Sequence, residues 1–117
     1  MGTKEVDIIT VQDLLELTKN ERLWLSDILF CFPLDNYSIS CSLNLISTNN
    51  RETIIELKPN LSLKEVNISE LIELIKSKPL NKLLFCRNNT QYVIYGYEKT
   101  ENNIECECVF LLINNFH

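Results

Sequence analysis

The stretch Ser38-Ile39-Ser40-Cys41-Ser42-Leu43-Asn44-Leu45 decides how the fold of this chain is predicted, because every second residue in it is apolar. A period of two is typical of a β-strand with one buried face and one wet face. Polar residues at 48–51 supply a turn, and Glu52–Lys58 has the composition of a returning strand that Pro59 ends. The stretch therefore predicts a β-hairpin in the first half of the chain.

Upstream of this hairpin the apolar spacing is helical. Thr10 can cap a first helix, with Asp13 three residues on completing a capping box. Asn20 has the character of a second cap, and Pro33 ends the segment that follows it. The pattern predicts either two helices or one helix kinked near residues 19 and 20. The second helical stripe has the spacing i, i+3, i+4, i+7 and consists of Leu25, Ile28, Leu29 and Phe32.

Downstream of the hairpin the apolar residues first return to a helical spacing and then to the period of two that is typical of strands. Asn67 and Glu70 open a third helix over Ile68–Ser77. The predicted order is α-α-β-β-α-β-β-β, and short turns between strands favour antiparallel neighbours. We therefore expect one α+β domain over residues 1–117, with two N-terminal helices and one central helix packed on a five-stranded, mostly antiparallel sheet. Its last three strands are Lys82–Arg87, Gln91–Lys99 and Ile104–Ile113.

Composition argues against catalysis and against a bound cofactor. The one histidine is the last residue, so the commonest general base and metal ligand is missing from the interior of the chain. Cys106 and Cys108 lack the further ligands that a tetrahedral zinc site needs, and we interpret them as small core residues. The two glycines, Gly2 and Gly96, form no phosphate-binding loop. We expect no enzyme activity, no metal and no cofactor.

Charge and hydropathy narrow the expected partners and the compartment. Eleven basic residues are scattered among 16 acidic ones, for a net charge of −5, whereas nucleic-acid binding needs clustered lysine and arginine. The longest apolar run, Cys108–Ile113, is far too short to span a membrane, and residues 1–10 hold no secretory signal. Five cysteines without a disulfide spacing favour a reducing compartment. We expect a cytoplasmic protein that binds neither nucleic acid nor membrane.

One cluster of acids stands out as a candidate binding site for a protein partner. Only Lys99 opposes it, and a hairpin would bring both of its arms to one end and one face of the sheet. Such a patch would attract a basic partner, with Tyr95 and Tyr97 as aromatic anchors. Trp24 could be a third anchor, although its place one residue off the helical stripe favours packing in the core. A merely solubilising edge is the alternative for the acids. The cluster consists of Glu98, Glu101, Glu105 and Glu107.

In size, acidity, lack of catalytic groups and composition typical of an AT-rich genome, the chain resembles the small acidic immunity proteins of bacterial toxin–immunity systems, such as contact-dependent inhibition. This resemblance implies a cytoplasmic protein that neutralises a cognate toxin domain, often a basic nuclease, by stoichiometric occlusion. An acidic secretion chaperone is one alternative. An accessory subunit that adds the strand Cys108–Ile113 to a partner's sheet is another, and a small histidine-independent enzyme is a third.

Overall fold

Seven strands and two helices make up the part of the chain that the computed structural model describes, residues 3–101 and 106–115 without the side chain of Glu101. The helices are α1 and α2, and the strands are numbered β1 to β7 in chain order. Their bounds are β1 Lys4–Ile8, α1 Val11–Asn20, β2 Asp27–Cys31, β3 Cys41–Thr48, β4 Glu52–Pro59, α2 Ile68–Ile75, β5 Lys82–Arg87, β6 Thr90–Glu101 and β7 Cys106–Asn114.

The strands form one mixed sheet in the order β2-β7-β6-β5-β4-β3, with β1 added beside β6. The pairs β2–β7 and β4–β5 are parallel, and the remaining pairs are antiparallel. A bridge between Phe30 and Ile39 brings the two ends of the strand order towards each other, so the sheet curls into a half-barrel. The predicted five-stranded, mostly antiparallel sheet with three helices is therefore wrong, although the α+β character is confirmed.

The predicted second helix is the largest error, because residues 27–31 form strand β2 instead. Ile28 and Phe30 alternate into the core and are fully buried, and β2 runs parallel to β7 with Phe30 opposite Phe110. Leu25, which the helical stripe would bury, is 87% exposed. An unbroken apolar run satisfies both periods, and here the open edge of β7 favours the strand.

Strand β1 was not predicted, and it fills a gap between two other strands. β6 pairs with β5 through residues 90–92 and with β1 through residues 94–97, on the same side. Beyond β1, Thr10 bridges to Lys82 at the start of β5. The N-terminal strand therefore lies in the fork where β5 and β6 diverge.

Both described helices begin at the caps that the sequence predicts. The Thr10 side chain accepts a hydrogen bond from the Asp13 backbone N–H, and the Asp13 carboxylate accepts one from the Thr10 N–H. Asn67 caps α2 through the Glu70 backbone N–H. These bonds occupy backbone donors that a helix N-terminus otherwise leaves unpaired.

The helices pack inside the curl of the sheet, where one hydrophobic core forms. Val11 and Leu14 of α1 and four residues of α2 meet the inward side chains of the strands there. Four phenylalanines belong to this core, and three of them pack together: the rings of Phe30 and Phe85 lie 5.5 Å apart, and those of Phe30 and Phe110 lie 6.1 Å apart. Among the described residues no helix is long and apolar enough to cross a membrane.

Candidate functional site

The sheet has an outer face that neither described helix covers. Because side chains alternate along a strand, the residues between the core positions of β2, β7 and β6 point away from the helices. The registers align them in two rows across the strands. Asp27 lies beside Glu107, which lies beside Thr100, and the next row joins Leu29 and Val109 to Glu98. We call the five non-threonine members of these rows the outer patch: Asp27, Leu29, Glu98, Glu107 and Val109.

The outer patch combines an apolar centre with an acidic border. Leu29 and Val109 are each half-buried although they lie on the wet side of the sheet. Three carboxylates border this pair, and among the described residues of β2, β6 and β7 no lysine or arginine points outward with them. Lys99 faces the other way, since its amino group donates to the carbonyl oxygen of Glu21 at 3.1 Å. The patch can therefore bury apolar area and attract positive charge.

The structure brings together only part of the predicted acid cluster. Glu98 and Glu107 share the outer face, and the Glu98 carboxylate accepts a 2.7 Å hydrogen bond from the Thr3 hydroxyl. Glu101 ends β6 opposite Cys106, but its side chain lies outside the described residues, as does the whole of Glu105. Asp27 takes a place in the cluster that the sequence did not predict, because the parallel pairing with β7 sets it next to Glu107.

The two predicted tyrosine anchors lie on opposite faces of the sheet. A β-bulge between Ile94 and Gly96 inserts Tyr95 as an extra residue, and Tyr95 is 44% exposed beside a depression that β1 also lines. Tyr97 is only 1% exposed and points into the core, where burial and a hydrogen bond with Glu21 raise its pKa to about 12. Tyr97 therefore cannot serve as a surface anchor.

Trp24 lies on the surface, contrary to the expected core position. It is 47% exposed in the connection between α1 and β2, immediately before the exposed Leu25. The expectation failed because it assumed a helix here, and the chain instead turns into β2. An exposed tryptophan is a residue type that interfaces favour.

A cleft of about 550 Å³ opens where β2 and β7 end and the β5–β6 turn begins. Its walls include Phe32 and Tyr92, whose rings meet edge to face at 5.2 Å. The guanidinium carbon of Arg87 lies 4.4 Å from the centre of the Phe32 ring, and its Nη1 lies 3.5 Å from the Asp35 carboxylate. The cleft has the volume of a ligand pocket and can accept an apolar group from a partner.

Burial disfavours the thiolate form of two described cysteines, Cys41 and Cys108. All five are free, and Cys41 and Cys108 are fully buried. Burial raises the pKa of Cys108 to about 12 and that of Cys41 to about 11. Cys106 lies 3.0 Å from the hydroxyl of Ser26, a contact that supplies no base. A thiol with a raised pKa stays protonated near neutral pH and is a poor nucleophile.

The described residues also hold no group of three or more histidine, cysteine, aspartate or glutamate side chains placed to bind a metal ion. The accessory-subunit alternative invoked the strand Cys108–Ile113, and the structure places this strand, β7, between β2 and β6. Comparison of the chain with protein-family models, curated proteins and solved structures finds no match.

Proposed function

We propose that this protein binds and neutralises a basic protein domain, such as the toxin of a toxin–immunity pair, through the outer patch. The observation that carries this proposal is the position of Asp27 beside Glu107 on a sheet face that neither described helix covers. Like charges directly opposite one another on a sheet destabilise it, so a positive partner relieves the repulsion on binding. The outer patch therefore favours a cationic surface over any other.

The mechanism is stoichiometric occlusion. Carboxylates of one sign raise the rate of encounter with a basic partner by roughly 10- to 1000-fold. Leu29 and Val109 then lose their remaining contact with water, and an interface of ordinary size buries ~1,600 Å² in total. Where the partner is a nuclease, the row of carboxylates takes the place of the phosphates of its substrate. No chemical step is needed, since occupation of the partner's active surface stops its reaction.

The test begins with a pull-down of the tagged protein from a lysate of its native host. The partner's association rate is then measured for the wild type and for the double variant Asp27→Lys, Glu107→Lys. We expect association to slow about tenfold or more, because attraction at the patch becomes repulsion. The matched control is Glu16→Lys, Glu73→Lys, which changes net charge equally at two exposed positions on the helices, away from the outer patch.

The outcomes separate the patch from the net charge of the molecule. Equal slowing in both double variants would mean that overall charge, not the outer patch, governs association, and it would contradict the proposal. Thermal unfolding of each variant shows whether it folds. If the reversal variant does not fold, Asp27→Asn, Glu107→Gln keeps side-chain shape and is expected to slow association in the same direction by a smaller factor.

A further inference from the structure

The two strands at the ends of the strand order, β2 and β3, differ in whether their outer backbone edge is hydrogen-bonded. Along β2 the edge that does not face β7 is covered: the Ile28 N–H donates to Val66 at 2.8 Å, and Phe30 exchanges two hydrogen bonds with Ile39 at 2.8 and 2.9 Å. At the other end, β3 pairs with β4 on one side. Beyond Cys41, no backbone group of the described chain pairs with its second side.

The register identifies the backbone groups on this bare edge. The Asn60 N–H donates to the Ser40 carbonyl at 2.9 Å, which marks Ser40 as a residue hydrogen-bonded to β4. Because the direction alternates along an antiparallel pair, Leu43 and Leu45 direct their N–H and C=O groups away from β4. These groups form a template for a further strand.

The edge of β3 has almost none of the features by which natural sheets discourage pairing. Lysine, proline and inward charges usually protect an edge, but β3 has none of them. Its one irregularity is a bulge at Ile46, near its end. The strand also lies in the longest run without a charged residue in the chain, from Asn36 to Asn50. The part of β3 that follows Cys41 is thus an uncharged open edge in a protein of net charge −5.

We propose that β3 pairs antiparallel with β3 of a second copy of this chain, about a two-fold axis beside Asn44. In this register Leu43 of each copy forms backbone hydrogen bonds with Leu45 of the other copy. The leucine side chains, half-buried on the helix side of each sheet, then form a patch of four. The two Asn44 side chains lie opposite each other on the outer side.

A second copy fits this edge better than a partner of opposite charge. Two molecules of net charge −5 repel each other across most of their surfaces, and an uncharged strand is where that repulsion is smallest. A basic partner gains nothing from β3, which has no carboxylate. The outer patch consists of side chains of β2, β7 and β6, so pairing through the backbone edge of β3 does not use them.

The experiment is sedimentation equilibrium of the full chain from micromolar to millimolar concentration. We expect a mass of twice 13.7 kDa for the wild type at the upper end. Asn44→Lys puts two positive charges face to face only in the two-fold register, and within one chain it faces Glu56, which already accepts from Asn44 at 3.4 Å. The dissociation constant of the dimer should rise roughly five- to tenfold.

Two further variants test the register. Asn44→Glu alone should also weaken the dimer, and since it faces Glu56 of its own chain, thermal unfolding is used to check that it folds. An equal mixture of Asn44→Glu with Asn44→Lys should restore the dimer. The control Ser42→Glu adds a charge to the same face of β3, where Lys58 of the same chain compensates it, and should leave the dimer intact. A mass of 13.7 kDa at every concentration, or a dimer that Asn44→Lys does not weaken, would overturn the proposal.

Hydrogen exchange gives a second readout that does not depend on any substitution. The amides of Leu43 and Leu45 should gain protection as the concentration of wild-type protein rises, since they become bonded only in the pair. Protection of these two amides that does not change while the dimer forms would place the contact on another surface and would also overturn the proposal.

Discussion

Gly96 of β6 lies between Glu5 of β1 and Leu111 of β7. A Cβ atom on this residue would be 2.9 Å from the carbonyl oxygen of Lys4 and 3.4 Å from a methyl group of Leu111. The first contact is with backbone, so β1 would have to move. We expect Gly96→Ala to lower the free energy of unfolding by about 1–3 kcal/mol in urea titrations. Thr100→Ala, at an exposed position on the same strand, should change it by less than about 0.5 kcal/mol, and equal effects would contradict this reading.

The extra residue next to Gly96 explains why the candidate site could be predicted only in part. Strict alternation would place Tyr95 and Tyr97 on the same face, where both could serve as anchors for a partner. The bulge at Tyr95 breaks that alternation, so Tyr95 remains on the surface and Tyr97 enters the core. Glu98 and Glu107 come together through hairpin geometry that the sequence does reveal. Asp27 joins them through parallel pairing with a distant strand, which no local pattern encodes.

At the scale of the element, the N-terminus of α1 depends on one threonine. The hydroxyl of Thr10 accepts from the backbone N–H of Asp13 at 3.2 Å, and backbone hydrogen bonds from Thr10 and Ile9 hold the pKa of Asp13 below its ordinary value. We expect Thr10→Ala to lower the free energy of unfolding by about 1 kcal/mol. Thr10→Ser should keep most of the stabilisation that the cap provides. An alanine variant as stable as the serine variant would show that the cap contributes nothing.

The same capping box gives a prediction about acid. Since the pKa of Asp13 is lowered on folding, its contribution is present above the unfolded value of 3.8 and is lost as pH falls through the folded value. At pH 6 the unfolding temperature of Asp13→Asn should therefore be lower than that of the wild type. The difference should shrink as the pH is lowered below 4, and a difference independent of pH would contradict the assignment.

Elements bounded by strong local signals were predictable, and elements defined by distant partners were not. β5 has the predicted bounds, and both helices start where Thr10 and Asn67 cap them. Residues 27–31 are apolar in a way that suits a helix or a strand, and only the edge of β7 decides between them. β1 consists of five residues, three of them charged and only one, Ile8, buried, so its own sequence hardly signals a strand.

At the scale of the whole molecule, three buried groups make the fold sensitive to alkali. Burial raises the pKa of Cys108 from 9.0 to about 12, that of Cys41 to about 11, and that of Tyr97 from 10.0 to about 12. The unfolded chain releases these protons first, so the stability they contribute is complete below pH 9 and is lost as the pH rises towards 12. We expect the free energy of unfolding to fall steeply over this range.

Tyrosine variants isolate one part of this loss. Tyr97→Phe keeps the ring in the core and removes the ionisation. Between pH 10 and 12 this variant should therefore lose about 2–3 kcal/mol less of its free energy of unfolding than the wild type. Tyr95→Phe, at an exposed position, serves as the control and should follow the wild type. Parallel curves for Tyr97→Phe and the wild type would mean that the phenol does not ionise on unfolding.

The parallel pairing of β2 with β7 also sets the order in which the protein can be completed. Ser26 and Cys106, which touch across this pair, are 80 positions apart. Ribosomes add about 5–20 residues per second, so β2 waits about 4–16 s for its neighbour. During that interval the core side chains of β2 have no strand to lie against, and Asp27 has no Glu107 beside it. A nascent chain therefore cannot present the outer patch before β7 has been synthesised, and a partner that depends on this patch binds only after that point.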